Sequence, residues 1–525
     1  MNAEVQPQTG HPRRWAILGV LVISLLVVVL DNTVLNVALR IIADPQHGLG
    51  ATQSQLEWAI NSYTLVFAGM LFTAGILADR LGRRITLAVG LVLFGIASLI
   101  SAYAGSPDQL IAARAVMGLG AAAVMPATLS IIANVFEPKE RGRAIGVWAG
   151  AVGLAVALGP ILGGFLLENF WWGSVFLINV PIVIAGVILV FVLVPESRDP
   201  KPGRIDVVGV LLSVIGLTLL TYGVIKGGED GFGDTLAWAP ILSGVLVLVG
   251  FVLYELRVEF PSLDVRLFKN RQFSASTSMI GLVFFAAMGS MFFGAFYLQL
   301  VRGYGPLASG ALFVPFAVGQ MVFAPISSNM VKKFGPKLVS TVGLLLVATG
   351  LGTWLLIGTE TPIAVVAVAF FLMGVGMANV MPPATESIMA ALPREKAGVG
   401  SAVSNTIRQL GGALGVAVLG AILSSVYRDN LGTATDGLPG AAADAARESI
   451  SGAYAVAEQA GQAGSALITT ANEAYVTAMH WAALGSLVFA LLGALVAVIF
   501  LPGKRPEGPH SPVLAEEQGV ALVEA

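Results

Sequence analysis

The chain contains no cysteine and very little charge. Without cysteine it can hold no disulfide, no thiolate nucleophile and no cysteine-ligated metal. Its four histidines, His11, His47, His480 and His510, are scattered, and none stands in an HExxH or comparable ligand spacing, so no metal site is expected. Charged residues are 11% of the 525, against roughly 25% in a soluble domain. That is too few to cover a water-facing surface, which excludes a soluble multidomain enzyme. No lysine is followed by Ser or Thr, so the phosphate-cradling loop of an ATP-driven pump is missing. A membrane-embedded enzyme would need a nucleophile–base pair or a metal, and a chain with no cysteine and no clustered histidine offers little basis for either. The net charge of -2 identifies no partner, because the charges are segregated along the chain.

What is abundant is apolar. Such residues are 56% of the chain, the mean hydropathy is +0.84, and 62 glycines lie through the apolar runs, as close helix packing in lipid requires. A hydrocarbon core about 30 Å thick takes roughly 20 apolar residues per helix. Windows of that size predict fourteen spans, at 15–39, 54–77, 85–104, 108–134, 141–167, 173–195, 205–226, 236–257, 272–300, 307–331, 338–358, 362–390, 397–426 and 472–501. The first run follows Arg13 and Arg14, is too long for a signal-peptide core, and is read as retained.

Lys and Arg orient the spans. If the N-terminus lies inside, the outer segments hold only Arg40, Lys226, Arg302, Arg428 and Arg447, while Arg114 and Arg408 fall within spans; the other 22 of the 29 are inside. That asymmetry predicts an even number of spans with both termini cytoplasmic. The chain also echoes itself. Ala78-Asp79-Arg80-Leu81-Gly82-Arg83-Arg84 returns 253 positions later as Val331-Lys332-Lys333-Phe334-Gly335-Pro336-Lys337, and Pro138-Lys139-Glu140-Arg141 returns after 255 as Pro393-Arg394-Glu395-Lys396. Two homologous halves follow, the arrangement transporters use for alternating access. The predicted organisation is an N-tail 1–14, a six-helix half 15–195, a linking segment 196–271 with two added spans, a second six-helix half 272–501 with a polar outer loop 427–471, and a C-tail 502–525. The loop is read equally as a surface helical cap or as disordered, and the tail as disordered.

Within this framework Asp31 is the sharpest chemical signal. It follows an unbroken apolar stretch from Leu18 to Leu30, where a carboxylate is expensive and normally faces a cavity or a partner. Two readings stand side by side: a structural carboxylate pairing another helix, and a titrating group. Its predicted depth is roughly 10–14 Å from the outer end of its span, and that of Arg114 roughly 9 Å, so the two can pair. Arg114 could instead snorkel to the headgroups. Arg408 is deeper in its own span, where it could bind backbone carbonyls. Glu57 and Glu386 fall at span ends and are read as interfacial, while remaining secondary proton-site candidates. Span five carries Gly146, Gly150, Gly153 and then Gly159-Pro160-Ile161-Leu162-Gly163-Gly164, a small-residue face with a helix-bending proline.

These segments together resemble the major facilitator transporters. The run from Gly75 through Asp79 and Gly82 to Arg83 and Arg84 is similar to the family's signature loop between helices two and three. Leu110 to Gly120, with Arg114 and Gly118, resembles its fourth-helix motif, and Gly159, Pro160, Gly163 and Gly164 resemble the fifth-helix motif of antiporters. Leu30-Asp31 through Ala38 resembles the first-helix motif of the fourteen-helix drug:proton antiporters, a subfamily also matched by Trp172, Phe176, Asn179, Pro181, Asn405, Arg408, Gln409, Gly411 and Gly412. The likeness runs from Trp15 to Leu501. It implies an all-α polytopic fold of two six-helix halves with two extra helices between them. It also implies proton-coupled export of amphipathic, cationic drugs or antibiotics across the cytoplasmic membrane, with Asp31 and Arg114 coupling the proton. No enzyme activity, cofactor or nucleic-acid partner is implied; the partners are the small-molecule substrate, protons and lipid, with the chain a monomer. A lipid, glycolipid or endogenous metabolite is the alternative cargo. Three departures stand out: Arg40 occupies the motif's usual closing proline, Lys332 stands where the first half has Asp79, and 307–331 lacks the extra acid some multidrug members carry.

Overall fold

The computed structural model describes residues 11–198, 206–261, 263–390, 397–436, 438–460 and 464–503. The tails at 1–10 and 504–525, and the repeat at 393–396, lie outside the described residues. Where they are described, the predicted spans are helical, because lipid leaves backbone groups no partner except their own helix.

The helices are α1 (Arg14–Ala43), α2 (Gln53–Leu81), α3 (Arg83–Ala102), α4 (Pro107–Val135), α5 (Pro138–Asn169) and α6 (Ser174–Leu193). There follow α7 (Val207–Asp230), α8 (Thr235–Glu255), α9 (Arg271–Phe296, continued by a π-helical turn Tyr297–Val301) and α10 (Val314–Phe334), which is preceded by a short helix Pro306–Ala311. The last are α11 (Pro336–Trp354), α12 (Ile363–Ala390), α13 (Ala397–Leu431), α14 (Gly440–Glu448), α15 (Ile450–Ala460) and α16 (Gly464–Phe500). Among the described residues twelve are long and apolar enough to cross a membrane, or thirteen with α2, which bends by 54° between Gln53–Leu71 and Thr73–Leu81, as one span. The remaining expected span, 141–167, lies inside the 32-residue α5.

Local sequence explains where helices begin. Thr52 and Gln55 form a reciprocal capping box at α2, with the Thr52 hydroxyl accepting from Gln55 N at 3.2 Å and the Gln55 amide accepting from Thr52 N at 3.1 Å. Ser106 caps α4 ahead of Pro107. Two glycines with positive φ, Gly82 (119°) and Gly335 (84°), each end one helix and start the next. They occupy matching places in the two echoed loops, so the repeat in sequence is also a repeat in backbone.

Two packed sets result. In the first, α1 lies on α5, α2 on α4, and α3 on α4 and α6; in the second, α9 lies on α13 and α16, α10 on α12, and α11 on α12 and α16. The pair α7–α8 packs together, and α7 lies against both α2 and α13. The contacts between the sets gather at the face opposite Arg14, called here the far face. Gly164 is so close to the short helix that a Cβ would lie 2.4 Å from Leu307 Cα, and one on Gly310 would lie 2.0 Å from the Pro160 carbonyl oxygen. Gln299, in the π turn, donates to the Val37 carbonyl of α1 at 2.9 Å, and Leu307 N donates to Glu168 at 3.3 Å.

Some expectations need correction. Some helices overrun the predicted spans: α1 continues to Ala43, so Asp31 is about 18 Å from its far end rather than 10–14 Å. Of the two readings of the loop 427–471 the helical one holds: α14 and α15 form there, with α15 packed on α16 and Ala446, Ile450 and Ala453 buried.

Replacement of Gly82 by Ala would force a side chain into a glycine backbone region and place a Cβ 2.6 Å from Glu196 Oε1. We expect destabilisation of about 1–3 kcal/mol, read as a lower melting temperature of the purified protein; an unchanged melt would show that the loop relaxes.

Candidate functional site

Asp31 and Arg114 meet in the middle of the first helix set. Asp31 is placed by α1 and Arg114 by α4, and their side chains are 1% and 0% exposed. Arg114 Nη1 donates to Asp31 Oδ2, and Arg114 Nε donates to the Ala59 carbonyl of α2 at 3.0 Å. The guanidinium also lies over the Tyr63 ring, 4.4 Å from its centroid. The second carboxylate oxygen, Asp31 Oδ1, accepts from Asn179 Nδ2 of α6 at 3.1 Å. That amide also reaches Ser98 Oγ of α3 at 3.0 Å, and Ser98 in turn donates to the Phe176 carbonyl at 2.8 Å. One carboxylate thus gathers five helices, α1, α2, α3, α4 and α6. Snorkelling of Arg114 is overturned: it points inward to a counter-ion.

Glycines bring α5 against the same stretch of α1. A Cβ on Gly159 would lie 1.8 Å from Thr33 Oγ1, and one on Gly163 2.9 Å from Val34 Cγ1. The proline–glycine segment of α5 therefore touches α1 within a turn of Asp31 while its next residues, Pro160 and Gly164, touch the second set. Gly75 has Pro126 Cβ at 3.7 Å from its Cβ position, an ordinary contact.

At the opposite face the signature loop makes a belt of ion pairs. Asp79 accepts from Arg83 Nε and Nη2 at 3.0 and 2.9 Å, an i,i+4 pair inside the motif rather than a bridge between the halves. Arg84 pairs with Glu196 at 3.8 Å and its backbone N–H donates to the same carboxylate at 3.2 Å. Arg14 pairs with Glu140 at 2.6 Å.

The remaining candidates scatter. Glu57, near the start of α2, is buried by protein: it is 1% exposed, and its Oε1 would lie 2.3 Å from a Cβ on Gly420 of α13. A helix-start position near the headgroups is buried here because a second helix covers it. Arg408 stands over the Phe284 ring at 5.6 Å and makes no hydrogen bond to a carbonyl among the described residues. Gln409 is half-buried on α13, one residue away, and Glu386 is exposed in a near-face recess with Gln272 and Lys332. Sequence reading missed the contacts of Asn179 and Tyr63. An amide opening the apolar run of α6 was a signal for the first; nothing marked the second.

The fold and this buried polar centre define a multi-pass membrane transporter rather than an enzyme. The family model for the Major Facilitator Superfamily matches residues 21–416. The chain belongs to that superfamily. It is 38% identical over 449 residues to the multidrug efflux pump LfrA of Mycolicibacterium smegmatis, covering 85% of this chain and 88% of that one. It is 34% identical to the tetracenomycin C resistance and export protein of Streptomyces glaucescens (81% and 78%), and 34% identical to the methyl viologen resistance protein SmvA of Salmonella typhimurium (79% and 83%). In fold it resembles a bacterial homolog of the human lysosomal transporter Spinster, with TM-score 0.66 and 17% identity, covering 94% of this chain and 98% of that one.

Removing the cation should be worse than removing the pair. Arg114→Met leaves Asp31 buried without its counter-ion, at a cost of about 3–5 kcal/mol, whereas Asp31→Asn with Arg114→Met should recover much of that loss. Melting temperatures of the two singles and the double test this; additive losses would mean that the pair is not coupled.

Proposed function

We propose that the protein is a proton-coupled antiporter that exports amphipathic, cationic drugs or antibiotics by alternating access. The far face is read as the outside, in accord with the segregation of Lys and Arg. The buried carboxylate of Asp31, tied to Arg114 and Asn179, is the observation that carries this reading. The relatives, a multidrug efflux pump, a tetracenomycin C resistance and export protein and a methyl viologen resistance protein, support drugs as cargo.

The mechanism follows from charge. With the outside open, a proton reaches Asp31 and neutralises it. The neutral carboxyl keeps its hydrogen bond to Asn179 but loses most of its attraction for Arg114, which retains the Ala59 carbonyl and the Tyr63 ring. The α1–α4 tie then loosens and the proton-loaded half favours return to the inward-open arrangement. There a cationic substrate and an ionised Asp31 favour each other, so substrate entry and proton release go together. A ligand biases the two states only by its differential affinity, and here the proton and the substrate oppose each other at one carboxylate. Pro160 and Gly164 are the surface along which the halves rock, while Gly159 and Gly163 hold that stretch of α5 against α1. The pairs Asp79–Arg83 and Arg84–Glu196 keep the inner end of the first half rigid.

Asp31→Asn preserves shape and hydrogen bonding but removes titration. In liposomes with an imposed pH gradient, uphill export should fall to background, and substrate-induced proton release from the purified protein should vanish, while binding of neutral compounds persists. A variant that still pumped uphill and still released protons would place the carrier elsewhere. A substrate panel in the same liposomes separates drugs from lipids, glycolipids and metabolites as cargo.

A further inference from the structure

α2 turns a second polar face away from the Asp31 centre. Glu57, Asn61 and Leu65 recur every four residues and so share one side of the helix. Leu65 meets Leu217 of α7 and Ala413 of α13 in a small apolar cluster, packed by Trp58, Leu248 and Leu410. Thr221 stands one turn beyond Leu217 on the matching side of α7, which runs antiparallel to α2, and is therefore level with Asn61. The Tyr222 ring beside it lies 6.4 Å from that of Trp58. Seven residues beyond Ala413, Gly420 takes the Glu57 carboxylate into the space its missing side chain leaves. Three helices, one from each half and one from the added pair, thus enclose Glu57, Asn61 and Thr221.

Asn61 and Thr221 are both 0% exposed, and neither Asn61 Nδ2 nor Asn61 Oδ1 nor Thr221 Oγ1 has a hydrogen-bond partner in the protein. Polar atoms in that state weaken a dry helix contact, and leucine or valine in their place would strengthen it. The amide offers two donors and an acceptor, and the hydroxyl one of each, which matches the two to four partners that a buried water takes.

We propose that Asn61 and Thr221, beside Glu57, form a buried water-binding site in the α2–α7–α13 seam, and that this hydration lets the outer gate part. The proposal rests on the alternating-access reading above. When α2 and α13 separate at their outer ends, groups already hydrated pass to bulk water with little change in solvation. Apolar side chains would instead expose surface that water disfavours, and the closed state would win. The added helices therefore build part of the gate, because α7 supplies Thr221 and half of the aromatic lid.

The absence of native cysteine makes the test direct. A spin-label pair at Ser54→Cys and Asn430→Cys, at the outer ends of α2 and α13, reads the gate in nanodiscs with and without ethidium, and hydroxyl-radical footprinting of Trp58 and Tyr222 reads bound water beside them. Asn61→Leu with Thr221→Val should raise the closed-to-open ratio by about tenfold or more, slow ethidium efflux, raise the melting temperature and cut oxidation of both rings several-fold. Thr221→Val alone, close to isosteric, should do the same more weakly and decides the question if the double variant does not fold. Two distances whose ratio ignores the substitutions, unchanged oxidation, or a lower melting temperature would overturn the proposal. A wild-type pair showing one distance under all conditions would overturn the alternating-access reading, and the gating role with it.

Discussion

A carboxylate and a guanidinium buried against each other sit at the centre of the first half, and much of that half is arranged to make them tolerable. In an apolar bundle a buried charge needs partners, and the protein supplies most of them here, leaving Arg114 Nη2 without a hydrogen-bond partner among the described residues. Asn179 meets one oxygen of Asp31, the Ala59 carbonyl meets Arg114 Nε, and the Tyr63 ring lies over the guanidinium. Ser98 then orients Asn179 and is itself oriented by the Phe176 carbonyl. This chain of dependence links α1, α2, α3, α4 and α6 through one carboxylate.

The contacts between halves have the opposite character. At the far face they are backbone against backbone, Gly164 on Leu307 and Gly310 on Pro160, with the polar ties Gln299 to Val37 and Leu307 to Glu168. Such surfaces hold by close approach and few interlocking side chains, so they can part and re-form. Inside the halves, aromatic groups interlock instead: Trp354 lies edge-on to Phe293, Tyr297 and Phe370 in the second half. Rigid halves with a separable seam are what rocking motion requires.

The repeat is therefore unequal in chemistry though similar in backbone. Gly82 and Gly335 turn alike, but the first loop adds the Asp79–Arg83 pair and the clamp of Arg84 on Glu196, while the second has Lys332 in the acid's place. Among the described residues the fully buried ion pair, Asp31 with Arg114, lies in the first half. Arg408 of the second faces an aromatic ring rather than an acid.

Composition alone determined that this chain spans a membrane many times, because 11% charged residues cannot cover a soluble surface. Hydropathy windows placed the spans, the echoed loops revealed two halves, and single charges in apolar runs singled out Asp31 and Arg114. All of this is information about position along a helix axis. What the sequence left open is direction around it, since helices apolar on every side carry no periodic mark of which face meets which neighbour. Only the tertiary structure decided that Arg114 turns inward to Asp31 rather than outward to lipid, and that Asn179 completes the pair. Glu57, too, is buried where α13 presents Gly420 to it. These are facts about which helices stand side by side, and that choice is made by packing across hundreds of residues, beyond the reach of any local pattern.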